Sequence, residues 1–322
     1  MLLCCYGLSH NGLDGFERYV SDIVDLKTTA RLKTSPLLYL LKYKLKTMRL
    51  IIFTNRDLAS NLFLNHLLPH VSHYVVQIFL SDKVGKKATT TPPKALQELR
   101  FLEQTLPNEV LFPLLDSQNR QNTEGGKLLT FNELSQKYNI PIGSCNDVRS
   151  AQSLEKMAAL KPDLALSVRF GKIFGSDFLR IPKLGTINLH SGKLPQYRGV
   201  MPAFRAIVNG EKTIVPTLHY VEDGTIDTGR IIGFTHLEIE KTKSVLWHIL
   251  NLYPKSVDLV VATIQQIDEG KKPIADVQDT NGAAYFTFPT DEEFSKFLEK
   301  GGKTTDYGEY TAFLKQYTEG VL

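Results

Sequence analysis

The run Arg49-Leu-Ile-Ile-Phe-Thr54, followed by the turn Asn55–Ser60 and then by Leu62-Phe-Leu-Asn-His-Leu-Leu68, narrows the fold more than any other feature. The first run is rich in β-branched and aromatic residues and suits a strand, whereas the second repeats its apolar residues at helical spacing. Val75-Val-Gln-Ile-Phe79 then supplies a second strand. The order strand, helix, strand predicts an α/β protein with a doubly wound, mostly parallel sheet. Further strands are expected at Ile140–Ile142, Asp163–Val168, Thr186–His190 and Tyr285–Phe288. Helices are expected near Ala95–Leu106, over Phe131–Tyr138 and across most of Ile239–Gln265.

Composition sets outer limits on function. The 322 residues, 42% hydrophobic and 22% charged, suit a soluble globular chain of one enlarged domain or two. A formal net charge of +4 is too small to announce a nucleic-acid partner. Cys4, Cys5 and Cys145 form neither a disulfide framework nor a metal-binding spacing, so a reducing, cytoplasmic setting is expected. The apolar opening Met1–Leu8 is too short for a signal-peptide core, and no stretch approaches a membrane span.

Three regions differ in character. Residues 1–47 hold seven basic and four acidic residues, and the segment Leu37–Lys46 interleaves apolar residues with Lys42, Lys44 and Lys46. An extra helix packed on the domain is the favoured reading, ahead of a basic amphipathic element that touches a membrane or a partner. The role of this extension is left open. Residues 81–139 read as an insertion in which two helices bracket the loop NRQNTEGG at 119–126. From Tyr285 onward seven acidic residues face four lysines, so the C-terminal end is acidic.

Several common chemistries lack their motifs. The turn Thr54–Ser60 contains no glycine, which disfavours a pyrophosphate held between the first strand and helix. No Walker A sequence occurs, and no Gly-x-Ser-x-Gly elbow presents a serine nucleophile. His66, His70 and His73 are spaced for a metal on one helix, but Pro69 is expected to break or start a helix there. Surface or capping histidines fit better, and no metal is expected.

Residues 181–233 concentrate the useful groups. Period-2 alternation along Thr186-Ile-Asn-Leu-His190 puts Asn188 and His190 on one face of a strand, at its carboxyl end, where open α/β sheets place ligands. An amide donor beside an imidazole suits a tetrahedral intermediate: Asn donates to a developing oxyanion while His polarises the carbonyl or moves a proton. Asp227, in Gly224-Thr-Ile-Asp-Thr-Gly229, is the best carboxylate to complete the set, with Glu222 and Asp223 in competition. Read from the residues alone, a strand-end Asn, a satisfied loop His and a turn-forming Asp fit equally well.

Asn188-Leu-His190, Leu194-Pro-Gln-Tyr-Arg-Gly199 and Ile226-Asp-Thr-Gly229, in that order, resemble the folate-dependent formyltransferase family. That family includes the methionyl-tRNA, glycinamide ribonucleotide and sugar-nucleotide N-formyltransferases. Pro162–Gly171 and Ile181–Thr186 resemble its preceding strand, pterin loop and lead-in, so the likeness runs from about Met48 to about Gly270. It implies a Rossmann-like formyltransferase domain over 48–270, with residues 1–47 as an N-terminal extension and 271–322 as a short C-terminal appendage. It also implies that Asn188, His190 and Asp227 form a catalytic triad and that 10-formyltetrahydrofolate is the cosubstrate. The pterin is then expected against main chain of Arg169, Phe170, Gly171, Lys172 and Ile173, and of Val221, Glu222, Asp223 and Gly224. Lys193 departs from the family pattern and is solvated, or meets a phosphate or the folate glutamate.

The family's acceptor amines differ. The tRNA members carry a further β-barrel domain, and the 95 residues after Asp227 must also finish the catalytic domain, which leaves no room for a full barrel. His219, in Thr217-Leu-His-Tyr220, resembles the small-amine members and equally fits a core strand position. The acidic C-terminal end opposes phosphate binding. A nucleotide-linked amino sugar is therefore the expected acceptor, tRNA is less favoured, and a homodimer is left open. The alternatives are a methionyl-tRNA formyltransferase, a folate-dependent hydrolase and an inactive folate-binding module.

Overall fold

A computed structural model describes residues 47–82, 91–118 and 128–318. The expectations for the N-terminal extension and for the loop at 119–126 lie outside the described residues. From Met48 onward the described residues form one compact unit.

Strand β1 (Leu50–Asn55) leads into helix α1 (Leu58–Val71), whose first turn is capped by Asp57 as its carboxylate accepts from Ser60 N at 2.8 Å. Pro69, expected to end or start a helix, instead sits in the last turn of α1. There its missing N–H and its ring disturb only a helix that stops two residues later. Strand β2 (Val75–Ser81) follows. Helix α2 (Lys94–Arg100) does not stop near Leu106: it continues through wide turns at Phe101–Thr105 and Pro107–Leu111 into α3 (Phe112–Ser117). Wide turns tolerate the lost N–H of Pro107 and carry the segment past it. Helix α4 (Phe131–Tyr138) is opened by a capping box between Thr130 and Glu133.

Strand β3 (Ile142–Ser144) begins within the strand signal expected to start over Ile140–Ile142, past Pro141, which cannot donate to a ladder. Helix α5 (Ala151–Ala159), β4 (Leu164–Val168), the single turn α6 (Ser176–Leu179) and β5 (Thr186–His190) complete the parallel part. The chain then runs through β6 (Arg198–Gly199), α7 (Pro202–Val208), β7 (Thr213–Ile214), β8 (Thr217–Tyr220), β9 (Ile231–Phe234) and β10 (Leu237–Glu238). The helical region expected over Ile239–Gln265 is two helices, α8 (Val245–Leu252) and α9 (Val257–Asp268), interrupted at Pro254.

The main sheet has the order β3-β2-β1-β4-β5-β8-β9. Its first five strands are parallel, and β8 and β9 are antiparallel to their neighbours. Leu50 and Ile52 of β1 point into the larger apolar cluster with α1, α8 and α9, whereas Ile51 and Phe53 point into a second cluster with Met157 and Phe178. The sheet is thus buried on both faces, as a doubly wound fold requires. Among the described residues no helix is long and apolar enough to cross a membrane.

Residues after α9 return to the same unit. Strand β11 (Tyr285–Phe286) pairs in parallel with β6, α10 (Asp291–Glu299) sets Phe294 on Phe204, and α11 (Tyr307–Thr318) buries Tyr317, whose hydroxyl donates to Asn61 Oδ1 at 2.7 Å.

Candidate active site

Strand β5 ends at the carboxyl edge of the sheet, beside the point where strand order reverses between β1 and β4. Its register sets Asn188 between Ser167 of β4 and His219 of β8, and sets His190 opposite Thr217. Asn188 Nδ2 lies 3.1 Å from His219 Nε2. His219 Nδ1 must donate to Tyr220 O, 2.8 Å away, so Nε2 carries the lone pair and Asn188 is the donor. Burial, helped by His190, pushes the His219 imidazole down to about 4 against the opposing pull of Asp227. The ring is therefore neutral at neutral pH, as its hydrogen bonds require. The second amide N–H of Asn188 has no partner among the described residues.

His190, 7% exposed, donates from Nε2 to Tyr197 O at 2.6 Å. Its Nδ1 then faces Asp227 Oδ2 at 3.5 Å, and Asp227 Oδ1 lies 3.7 Å from His219 Nε2. The three residues singled out in the sequence therefore converge, and His219 stands in the middle of them. Because Nε2 of His190 is committed to Tyr197, Asn188 is the member of the set with an N–H to spare.

Asp227 has φ 56°, a left-handed conformation that costs a residue with a Cβ about 1–3 kcal/mol. Its neighbours sustain that shape. Gly199 N donates to Asp227 Oδ2 at 2.9 Å, and Gln278 Nε2 donates to the main-chain oxygens of Asp227 at 3.0 Å and Gly229 at 2.7 Å. Gly229 approaches Tyr220 so closely that a Cβ there would sit 1.8 Å from its carbonyl oxygen. Gln278 attracts no notice in the sequence, because it stands in a polar stretch with no strand or helix signal.

The two expected cofactor loops also meet. Phe170 packs on Phe53 and Phe174, with Val221 against the same cluster, and Gly224 comes within reach of Phe174 O. Gly171 N faces Asn55 Oδ1 at 3.4 Å, Ile173 O accepts from Arg149 Nε at 3.1 Å, and Lys172 is half-buried. Glu222 is paired with Arg230, which holds its carboxyl below the usual range, and Asp223 accepts from Thr225. Arg169 is otherwise engaged. Its guanidinium lies 2.9 Å from both Asp57 Oδ2 and Glu103 Oε1 and covers the Tyr253 ring at 5.2 Å, so only its main chain is free to meet a ligand. Burial pushes Glu103 up to about 7, with Asp57 adding to the rise and Arg169 opposing it. Lys193 is exposed. Among the described residues no cluster of His, Cys, Asp and Glu is arranged to hold a metal ion.

Residues 122–246 match the model of the formyl transferase family, a span that contains Asn188, His190, His219 and Asp227. The methionyl-tRNA formyltransferase of Clostridioides difficile (strain 630) is 33% identical over 145 residues, 44% of this chain and 45% of that protein. Over these residues the chain is similar to the formyl transferase family. A second relative, the methionyl-tRNA formyltransferase of Staphylococcus aureus (strain JH1), is 31% identical over 148 residues, 46% of this chain and 47% of that formyltransferase. The chain thus spans about half the length of these curated relatives. Among solved structures, a 4-N formyltransferase from Francisella tularensis has a TM-score of 0.49 at 17% identity, covering 78% of this chain and 80% of that one. The family uses 10-formyltetrahydrofolate as its formyl donor.

Proposed function

We propose that this chain transfers a formyl group from 10-formyltetrahydrofolate to the primary amine of a nucleotide-linked amino sugar, with Asn188, His190 and Asp227 at the reacting centre. One observation carries the reading: an amide with a spare N–H, an imidazole and a carboxylate meet at the carboxyl edge of the sheet, with distances of 3.1–3.7 Å linking them through His219. Phe170, half-buried and backed by Phe53 and Phe174, gives an apolar surface near the exposed residues 222–226, which suits a flat ring with a hydrogen-bonding edge. The folate supplies a formyl carbonyl open to attack by an amine.

The residues divide the work. The spare N–H of Asn188 donates to the charge that develops on the formyl oxygen, a contact worth about 3–4 kcal/mol. Neutral His219 accepts the other N–H and keeps that amide from turning. The Nδ1 lone pair of His190 and Asp227 Oδ2, 3.5 Å apart, are two acceptors with room for one proton between them. The proton lost by the attacking amine goes to that pair, directly or through water, and is returned to N10 as the N10–formyl bond breaks and tetrahydrofolate leaves.

A small acceptor is favoured by the surroundings of the site. Strand β11 lies against Arg198–Gly199, and α10 soon follows with Asp291, Glu292 and Glu293 in its first turn. Glu292 is paired with Lys296 and Glu293 with Arg205, so only part of that charge is left to oppose the long phosphate backbone of a tRNA. The test is to incubate the protein with 10-formyltetrahydrofolate and, separately, nucleotide-linked amino sugars, methionyl-tRNA or no amine. Formylation of an amino sugar is expected. Turnover of the tRNA alone would contradict the sugar reading, and consumption of the folate without any amine would point to a hydrolase.

A further inference from the structure

Asp227 sits in a loop whose tip is open to solvent: residues 222–226 are exposed, and the loop's own bonds, between Glu222 and Arg230 and between Thr225 and Thr228, bracket Asp227 without touching its main chain. The hold comes from a distant segment. Asp276 makes an isolated antiparallel bridge to Ile231, with Ile231 N donating to Asp276 O at 2.8 Å and Asp276 N to Ile231 O at 2.9 Å. Antiparallel register then sets Gln278 opposite Gly229, within reach of the loop that carries Asp227.

From that position a single side chain makes three contacts. Gln278 Nε2 donates to Asp227 O at 3.0 Å and to Gly229 O at 2.7 Å, while its Oε1 accepts from Arg198 Nη2 at 3.0 Å. The residue after Arg198 is Gly199, whose N–H holds the Asp227 carboxylate at 2.9 Å. The circuit is closed: Gln278 holds the main chain of Asp227, and through Arg198 it also holds the strand that grips the side chain. Gln278 is 7% exposed, so water does not compete for these bonds.

We infer that Gln278 is a positioning residue for formyl transfer, clamping Asp227 so that its carboxylate faces His190. Residues 276–278 are then part of the framework that positions Asp227. The inference rests on the reading of Asp227 and His190 given above, and its test separates the two.

Gln278→Glu keeps the shape of the side chain but turns a carboxylate oxygen toward two carbonyl oxygens, and Gln278→Met keeps the length without any donor. Each is expected to lower kcat for formyl transfer about 10- to 100-fold, the scale set by a small misplacement of a reacting group. KM for 10-formyltetrahydrofolate should stay within about twofold. In an Asp227→Asn background the same substitutions should cost less than about twofold more, because the group they position is already disabled. An equal loss in both backgrounds, or an unchanged kcat, would overturn the inference. Amide exchange at Gly199 needs no acceptor and tests the clamp independently of activity: its protection should fall about tenfold or more in Gln278→Met, and unchanged protection would overturn the clamp.

Discussion

Asn188 Nδ2 and His219 Nε2, side by side on neighbouring antiparallel strands, share a hydrogen bond of 3.1 Å whose direction is fixed by the ring's other nitrogen. His219 Nδ1 is spent on Tyr220 O, so the imidazole accepts from the amide and not the reverse. The amide is thereby oriented with one N–H toward His219 and the other free. A donor held in this way needs no reorganisation when charge develops beside it.

That hydrogen bond has a pH signature. The His219 imidazole is pushed from an ordinary 6.5 down to about 4, chiefly by burial. Between these values the unfolded chain binds a proton that the folded one refuses, so the stability present above pH 6.5 is lost as pH falls toward 4. The loss is of order 3 kcal/mol. Thermal unfolding across this window should show the decline in the wild type and a flatter profile in His219→Gln. Identical profiles would remove His219 from the role.

Glu103 gives the opposite sign. Its carboxyl, pushed up mainly by burial to about 7, is protonated more readily in the folded state than in the unfolded one. Its contribution is present below pH 4.5 and is lost as pH rises through about 7. Glu103→Gln should therefore remove this slope in denaturant unfolding while keeping an acceptor for Arg169. Arg169→Met leaves the buried carboxyls of Asp57 and Glu103 without their cation, and a loss of about 3–5 kcal/mol is expected.

Gly199 supports a structural prediction. Its φ of 93° is one that residues with a Cβ avoid, and a Cβ there would lie 2.2 Å from Phe286 O. Gly199→Ala should push β11 away from β6 and misplace the N–H that holds Asp227. A loss of about 2 kcal/mol or more in stability, with a fall in turnover of the folded enzyme, is expected by calorimetry and kinetics.

What the sequence disclosed follows from how local each signal is. Strand β5 and helix α4 stand where alternation and helical spacing put them, because each is declared by its own residues and, for α4, by a capping box. The facing of Asn188 and His190 was legible for the same reason: period two needs no partner strand. Pro69 was misread because the sequence shows that a helix is disturbed but not that its end is two residues away. The wide turns over 101–111 carry no local mark beyond Pro107. The engagement of Arg169 with Asp57 and Glu103, and the reach of Gln278 to Asp227, join residues far apart in the chain, and no local pattern encodes them.

Formyl transfer by Asp227→Asn tests the central claim most directly. With 10-formyltetrahydrofolate and the amine that the wild type accepts, single-turnover formylation by the variant is expected to fall at least about 100-fold while folate binding survives within a few fold. Unchanged formylation by Asp227→Asn would contradict the account, because the proton would then leave the amine by a route that does not involve the His190–Asp227 pair.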